Sequence, residues 1–232
     1  MLRIFIGFDP CETIAFHVLV NSIMRRASVP VQIMPLVLSY LPMLTRAHEP
    51  DQSTAFSFSR YLVPWLCGYE GQAVFMDCDM LVRCDIAELF KEADPDAEVS
   101  VVKHSYVPKD ARKFLDKPQT SYDRKNWSSV MVFNTERCRD TLSLEAVCRA
   151  PSEYLRRLHW AERIGELPRE YNHLVGEYPP NPEAKIAHFT IGTPCFPKYS
   201  VCEFSDEWHE ERRRVLYFNP LNAFSLPPKG DD

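Results

Sequence analysis

Two carboxylates one residue apart open the chemistry of this chain: in AVFMDCDML, residues 73 to 81, an apolar run leads straight into Asp77 and Asp79. Side chains alternate faces along a strand, so the two aspartates share one face and Cys78 turns back toward the body. Like charges held this close raise each other's protonation unless a cation lies between them, and carboxylate oxygens suit hard ions such as Mg²⁺ or Mn²⁺. Positions i and i+2 of an ideal strand stand about 6.6 Å apart, too far for both to reach one ion at about 2.1 Å. The strand is therefore expected to end or bend at the pair. The plain alternative is a solvated Asp-x-Asp turn after a buried strand.

Other residues have types and positions that fit the same chemistry. His188 leads HFTIGTP, residues 188 to 194. A neutral imidazole there would complete a three-ligand set without a third negative charge, against the plain reading of a histidine satisfied in the core. Arg60, in SFSRYLVP, stands near a helix start, where the macrodipole disfavours a cation, so a nearby anion or carboxylate is expected beside it, against the plain reading of a solvated arginine. Asp9 comes after the first apolar run and is either a nucleotide contact or a cap for the helix beyond it. Ser128 and Ser129 open the run NWSSVMVFN and Asn134 closes it. The serines fit sugar-hydroxyl contacts as well as strand-edge hydrogen bonds.

These residues need a scaffold, and the hydrophobic pattern supplies one. Leu2 to Gly7 reads as a strand, Pro10 begins a helix with Ile14, Val18 and Leu19 on one side, and Val31 to Leu36 reads as a second strand. Such a β-α-β start is parallel and right-handed and binds ligands beyond the carboxyl ends of its strands. Residues 39 to 56 read as a loop. A short helix comes next, with Ser57 or Ser59 as its cap, Pro64 in its first turn and Gly68 as its stop. Ile86 to Glu92 is a short helix, Glu98 to Lys103 a strand, and residues 108 to 125 an exposed excursion that could act as a lid. Asn126 to Asn134 is a strand and residues 140 to 163 are helical with a break at Pro151. Residues 167 to 176 form a loop re-entering the core, Lys185 to Phe189 a last strand, and Asp206 to Leu216 a charged helix with a solvated face, before a tail at Leu226 to Asp232. The expectation is an α/β sandwich, a mixed and mostly parallel central sheet with a Rossmann-like start, in one domain over residues 1 to 232. Residues 1 to 200 form its core and residues 201 to 232 a C-terminal helix and tail. Asp9, Asp77, Asp79 and His188 should then gather on one sheet edge.

Composition narrows the partners. A net charge of -5 argues against a phosphate-backbone partner, so no nucleic acid is expected, and 45% hydrophobic residues suffice for one large core. Eight single cysteines without a C-x-x-C pair point to a reducing compartment. MLRIFIGFDP is too short an apolar run for a secretory signal, and no stretch is long enough to span a bilayer. A soluble, cytoplasmic protein is expected.

Taken in order, FDP after the first strand, SFSRYLVP, FMDCDMLV, NWSSVMVFN, LPREYN and HFTIGTP resemble the metal-dependent, GT-A-fold glycosyltransferases related to family eight, the glycogenin and galactosyltransferase type, over residues 2 to 200. The resemblance implies a Mn²⁺ or Mg²⁺ ion on Asp77, Asp79 and His188 that holds a nucleotide-diphosphate sugar, with a UDP-linked donor and transfer to an acceptor with retention of configuration. It further implies that Arg60 orients an acidic residue or the sugar, that Asp9 contacts the nucleoside, and that Asn172 of LPREYN and Gly192 of HFTIGTP lie on the substrate side. The chain departs from the pattern in two places. An Asp-Gln pair common before the LPxxYN loop is replaced by WAERIG, which leaves Glu162 as the nearest acidic candidate for the catalytic position, and the usual Lys-Pro-Trp ending of the histidine motif is replaced by Pro194-Cys195-Phe196. Two other functions compete. A sugar nucleotidyltransferase expects a Gly-rich, basic loop after the first strand, which FDPCETIAF lacks; a non-catalytic nucleotide-sugar or metal-binding protein would accommodate the altered WAERIG segment.

Overall fold

The computed structural model describes residues 1–47, 54–116 and 123–216. The C-terminal tail expected at Leu226 to Asp232, and parts of the loops expected over residues 39 to 56 and 108 to 125, lie outside the described residues. The chain opens with β1 (Leu2–Gly7), a 3-10 turn at Pro10–Glu12, α1 (Thr13–Arg26) and β2 (Val31–Leu36). Strands β1 and β2 pair in parallel from Leu2↔Val31 to Gly7↔Leu36. The 3-10 turn Ser59–Leu62 runs into α2 (Val63–Leu66), then β3 (Gln72–Met76), β4 (Met80–Val82), α3 (Ile86–Lys91) and β5 (Val99–Val101). A 3-10 turn at Trp127–Ser129 precedes β6 (Val130–Asn134), and beyond it come α4 (Leu144–Arg149), α5 (Ser152–Arg156), β7 (Ile164–Glu166), β8 (His173–Leu174), β9 (Ile186–His188) and α6 (Ser205–Leu216).

Six strands form the central sheet in the order β2-β1-β3-β6-β5-β7, with β6 antiparallel to both of its neighbours and the other pairs parallel. The fold is thus the expected mixed α/β sandwich with a mostly parallel sheet. Because β3 and β5 both oppose β6, the exits of β1, β3 and β5 share one edge with the entrance of β6. Val74, Phe75 and Met76 are fully buried, and each large apolar side chain so placed stabilises by about 1.5–3 kcal/mol. Strand β3 is therefore a rigid mount for the carboxylates at its end. A second, three-stranded sheet, β4-β9-β8, pairs Met80 with His188 and His188 with Leu174. That small sheet carries His188 to the end of β3 from more than a hundred residues downstream. Helix α6 closes the far side, with Trp208 fully buried against α1 and β9 residues and buried Glu211 paired with Arg25 and Arg26 of α1.

Several local expectations need correction. Residues 126 to 129 are not strand but a left-handed residue (Asn126, φ 62°) ahead of the 3-10 turn. Neither Ser57 nor Ser59 caps its helix; their hydroxyls donate to the carbonyls of Thr54 and Phe56. The segment 140 to 163 holds two short helices separated at Pro151, and the chain has already left helix before Ile164 enters β7. The expected loop over residues 167 to 176 contains the paired strand β8.

Candidate metal centre

Strand β3 ends at Met76 and β4 begins at Met80, so the carboxylates occupy the three-residue bend between them. The bend is fixed from both sides: the Asp77 amide donates to Ser129 O at 2.9 Å, and the Phe189 amide donates to Asp79 O at 2.9 Å. Cys78 is fully buried, as the alternation of faces requires. The bend brings one ligand atom each of Asp77, Asp79 and His188 within 4.8 Å of one another.

Each of the three is held by a partner. Arg60, almost completely buried, lies with its guanidinium 4.7 Å from the Phe75 ring centre and 5.4 Å from that of Phe56. One of its nitrogens stands 3.1 Å from Asp77 Oδ1 and donates to the Ser128 carbonyl at 2.6 Å. On the other side, His188 Nε2 stands 3.3 Å from Asp79 Oδ1. Neither Asp77 Oδ1 nor Asp79 Oδ1 has an aligned hydrogen-bond partner, although both atoms are buried. A cation beside them would supply the aligned contact that each of these buried oxygens lacks.

A relay of amides and hydroxyls decides which nitrogen of His188 faces the aspartates. Ser129 Oγ donates to the Asn126 carbonyl at 2.7 Å, so it accepts from Asn172 Nδ2 at 2.8 Å. That turns Asn172 Oδ1 toward His188 Nδ1, 2.9 Å away, which must donate. In the neutral ring the lone pair is then on Nε2, aimed at Asp79. Two acceptors face each other there, and a shared cation reconciles them. Orientation of a ligating imidazole through its other nitrogen is the usual arrangement at metal sites. Two carboxylate oxygens and one imidazole nitrogen also suit a divalent ion with open positions.

Burial pushes the Asp77 carboxyl up to about 6, with Arg60 opposing and Asp79 adding to the rise. Burial acts the same way on Asp79, but His188 and Lys113 outweigh it and hold that carboxyl below the ordinary range. His104, at the end of β5, is pushed down to about 3 by burial; its Nδ1 lies 2.9 Å from Tyr178 Oη while its Nε2 is buried without a hydrogen-bond partner.

The remaining residues singled out in the sequence divide clearly. Asp9 lies at the same sheet edge and is buried; Oδ1 caps the Cys11 amide at 2.9 Å and Oδ2 accepts from Ala55 at 3.3 Å. Ser128 and Ser129 lie beside Arg60 and Asp77. Gly192 closes a turn through its amide to the Phe189 carbonyl, and the Tyr199 ring fills the space a side chain there would need. Two candidates do not join the group. Asn134 pairs with Gln72, the first residue of β3, because β6 runs antiparallel, and its amide donates to the Pro95 carbonyl at the opposite edge of the sheet. Glu162 is exposed and precedes Ile164, which pairs with Val99 at the entrance of β5, again away from the carboxylates. It lines a cavity of about 570 Å³ with Lys103, which follows β5, and with Arg124 and Trp127 of the segment that leads into β6. Sequence reasoning misses Asn126, whose amide reaches Tyr106 Oη and Thr190 Oγ1 and whose carbonyl anchors the relay. An asparagine, the non-glycine residue type that best tolerates left-handed backbone, just before an aromatic residue and two serines is the available signal.

Comparisons with known proteins place this geometry in context. No protein-family model matches the chain. Protein CDI of Arabidopsis thaliana is 40% identical over 232 residues, covering 95% of this chain and 90% of the plant protein. Among solved structures, the bifunctional glycosyltransferase WbbM superposes with a TM-score of 0.66 at 20% identity over 91% of this chain, which spans about half (49%) of the WbbM chain. The galactosyltransferase LgtC, solved with donor and acceptor sugar analogues, superposes with a TM-score of 0.60 at 9% identity, covering 95% of this chain and 98% of its own. At these identities the likeness to WbbM and LgtC is one of fold, the GT-A fold of glycosyltransferases.

Proposed function

The chain belongs to the family of Protein CDI of Arabidopsis thaliana and has a GT-A glycosyltransferase fold, and on that premise we propose that it is a metal-dependent glycosyltransferase. The observation that carries the proposal is the convergence of Asp77, Asp79 and a His188 oriented by Asn172, with buried aspartate oxygens lacking aligned partners, at the edge where the strands exit. The donor in this reading is a nucleotide-diphosphate sugar, UDP-linked, carrying a hexosyl group, and the ion is Mn²⁺ or Mg²⁺. An ion bound there supplies Lewis-acid neutralisation of the charge that develops as the nucleoside diphosphate leaves.

The chain's own groups do the rest. Asp77 and Asp79 would hold the ion through carboxylate oxygens and His188 through Nε2. Arg60 fixes Asp77 by ion pairing, and the Ser128–Ser129 turn ties Arg60 and Asn172 into one frame. Asp9 and the backbone around it face the nucleoside, with the remaining lone pairs of its carboxylate accepting from base or ribose. Asn172 serves the site through its hold on His188. We extend the proposal to family-eight membership, retention of anomeric configuration, a single functional domain and a cytoplasmic setting, the last in keeping with eight unpaired cysteines.

The experiment is a panel of nucleotide sugars incubated with the full chain, with and without Mn²⁺, and with Asp79→Asn as the control. Release of nucleoside diphosphate that needs the metal and is lost in Asp79→Asn is the expected result. Metal-dependent binding of donor without turnover on any sugar would favour the non-catalytic binding protein instead.

A further inference from the structure

The cavity of about 570 Å³ that Glu162 lines has the size of a small-molecule site, and one of its walls belongs to the frame that holds the carboxylates. Trp127 in that wall stands next to Ser128, whose carbonyl accepts from Arg60, the partner of Asp77. One residue further on, the Ser129 carbonyl accepts the Asp77 amide at 2.9 Å. The Trp127 indole donates to the His104 carbonyl at 2.8 Å, which fixes the ring beside Lys103 and the exit of β5. The facing wall is the connector from α5 to β7, with Leu158, His159, Glu162 and Ile164. Left-handed backbone turns it at Leu158 (φ 52°), and buried Trp160 anchors it, its ring stacked 6.1 Å from that of Phe133 in β6. Lys103 and Trp127 therefore bound the end near the metal centre. Glu162 and Ile164, the partner of Val99, bound the end at the entrance of β5.

The lining narrows the ligand. Trp127, Leu158 and Ile164 supply apolar surface, while Lys103, Arg124 and His159 offer donors and Glu162 an acceptor. The two permanent cations are already engaged. Arg124 lies 5.2 Å from the Trp127 ring centre and donates to the Arg157 carbonyl, and Lys103 Nζ lies 4.0 Å from Glu166 Oε2. Among the described residues, the Glu162 carboxylate and the His159 ring have no hydrogen-bond or ion-pair partner. A wholly apolar ligand would take water from these polar groups and return nothing. A polyanion would set its charge against Glu162. A sugar meets both demands, because its ring has an apolar C–H face and each of its hydroxyls both donates and accepts.

Resting on the glycosyltransferase reading above, we propose that this cavity is the acceptor site and that the acceptor is an uncharged saccharide. Its reacting hydroxyl lies at the Trp127 end, toward the metal centre, and its far hydroxyls bond Glu162 and His159. Glu162, which does not reach the metal, then acts on the acceptor and not on the donor. If the cavity instead took the sugar of the donor, its residues would govern nucleotide-sugar affinity with no acceptor present.

Titration of the methyl glycosides of glucose, galactose, mannose and N-acetylglucosamine into the isotope-labelled full chain, with Mg²⁺ and UDP present, tests this by NMR. The signal to follow is the Trp127 indole N–H, identified among the four tryptophans with Trp127→Phe. At least one glycoside is expected to shift it saturably. Glu162 is exposed, so Glu162→Ala leaves the core intact, and it is expected to weaken that glycoside about 10- to 100-fold, the range of one lost charge-assisted hydrogen bond. Calorimetry should meanwhile show UDP-glucose and UDP-galactose binding Glu162→Ala as they bind the wild type. No shift with any glycoside, while the wild type binds UDP, overturns the acceptor site and leaves the glycosyltransferase reading standing. A shift that Glu162→Ala leaves unchanged in affinity overturns it as well. Equal loss of glycoside and nucleotide sugar in Glu162→Ala overturns it in favour of the donor. Absence of any metal-dependent UDP binding by the wild type overturns the glycosyltransferase reading itself, and the acceptor site with it.

Discussion

Replacing Asn172 by alanine removes two buried hydrogen bonds at once, 2.8 Å to Ser129 Oγ and 2.9 Å to His188 Nδ1, without touching a metal ligand. Asn172 is fully buried, so water does not readily restore what the amide supplied. Each partner left unsatisfied costs about 1–3 kcal/mol, and the imidazole loses the bond that keeps its lone pair on Nε2, facing Asp79. Loss of an orienting partner of a metal-bound histidine lowers metal affinity by about 10- to 100-fold, equivalent to roughly 1.4–2.8 kcal/mol. Calorimetric titration of Mn²⁺ into Asn172→Ala should show that loss in the folded protein. Asn172→Asp keeps an acceptor at Nδ1 and makes it stronger, so it should bind Mn²⁺ much more nearly as the wild type does. If Asn172→Ala binds Mn²⁺ at wild-type affinity while His188→Ala does not, the relay has no part in orienting the imidazole and the reasoning fails.

The same geometry sets two further outcomes. Asp77 is raised from 3.8 to about 6 by burial, so its ionisation opposes folding: the penalty is absent below about pH 3.8, grows to roughly 3 kcal/mol as the pH rises through 6, and should vanish with excess Mn²⁺ or in Asp77→Asn. Melting temperatures from pH 4 to 7 with and without Mn²⁺ measure this, and because Asp79 is lowered and acts in the opposite sense, the wild-type minus Asp77→Asn difference is the quantity to read. Arg60→Ala breaks an ion pair whose side chains are only 8% and 15% exposed, and denaturant unfolding should show a loss of about 3–5 kcal/mol, smaller when Asp77→Asn is present as well.

The sequence and the structure agree where a rule acts through neighbours in the chain. The apolar run Leu2 to Gly7, the helix after Pro10 and the run Val31 to Leu36 appear as read, and β3 ends just before the pair DCD, as its spacing led us to expect. Strand-exit logic also brings His188 to the aspartates. The misreadings arise where partners distant in sequence decide. Residues 126 to 129 look like the start of a strand, but Asn126 turns left-handed to reach Tyr106 and Thr190. Strands β7 and β8, of three and two residues, are too short for a periodic pattern and exist through pairing with β5 and β9. Glu162 has a suitable charge in the WAERIG segment, and the β5–β7 register sets it just ahead of β7, in a cavity shared with Lys103 and Trp127. Asn134 falls at the far edge of the sheet because one antiparallel strand exchanges entrance and exit.

The central claim is that Asp77, Asp79 and His188 hold one divalent ion at the exit of β3. A crystal structure of the full chain with Mn²⁺ and UDP, with the ion located by its anomalous signal, tests it most directly. The account predicts one Mn²⁺ ligated by an oxygen of each aspartate and by His188 Nε2, at about 2.0–2.2 Å, with Nδ1 still on Asn172 and phosphate oxygens completing the sphere. An ion bound away from these three residues, or His188 remaining on Asp79 with UDP bound elsewhere, would contradict it.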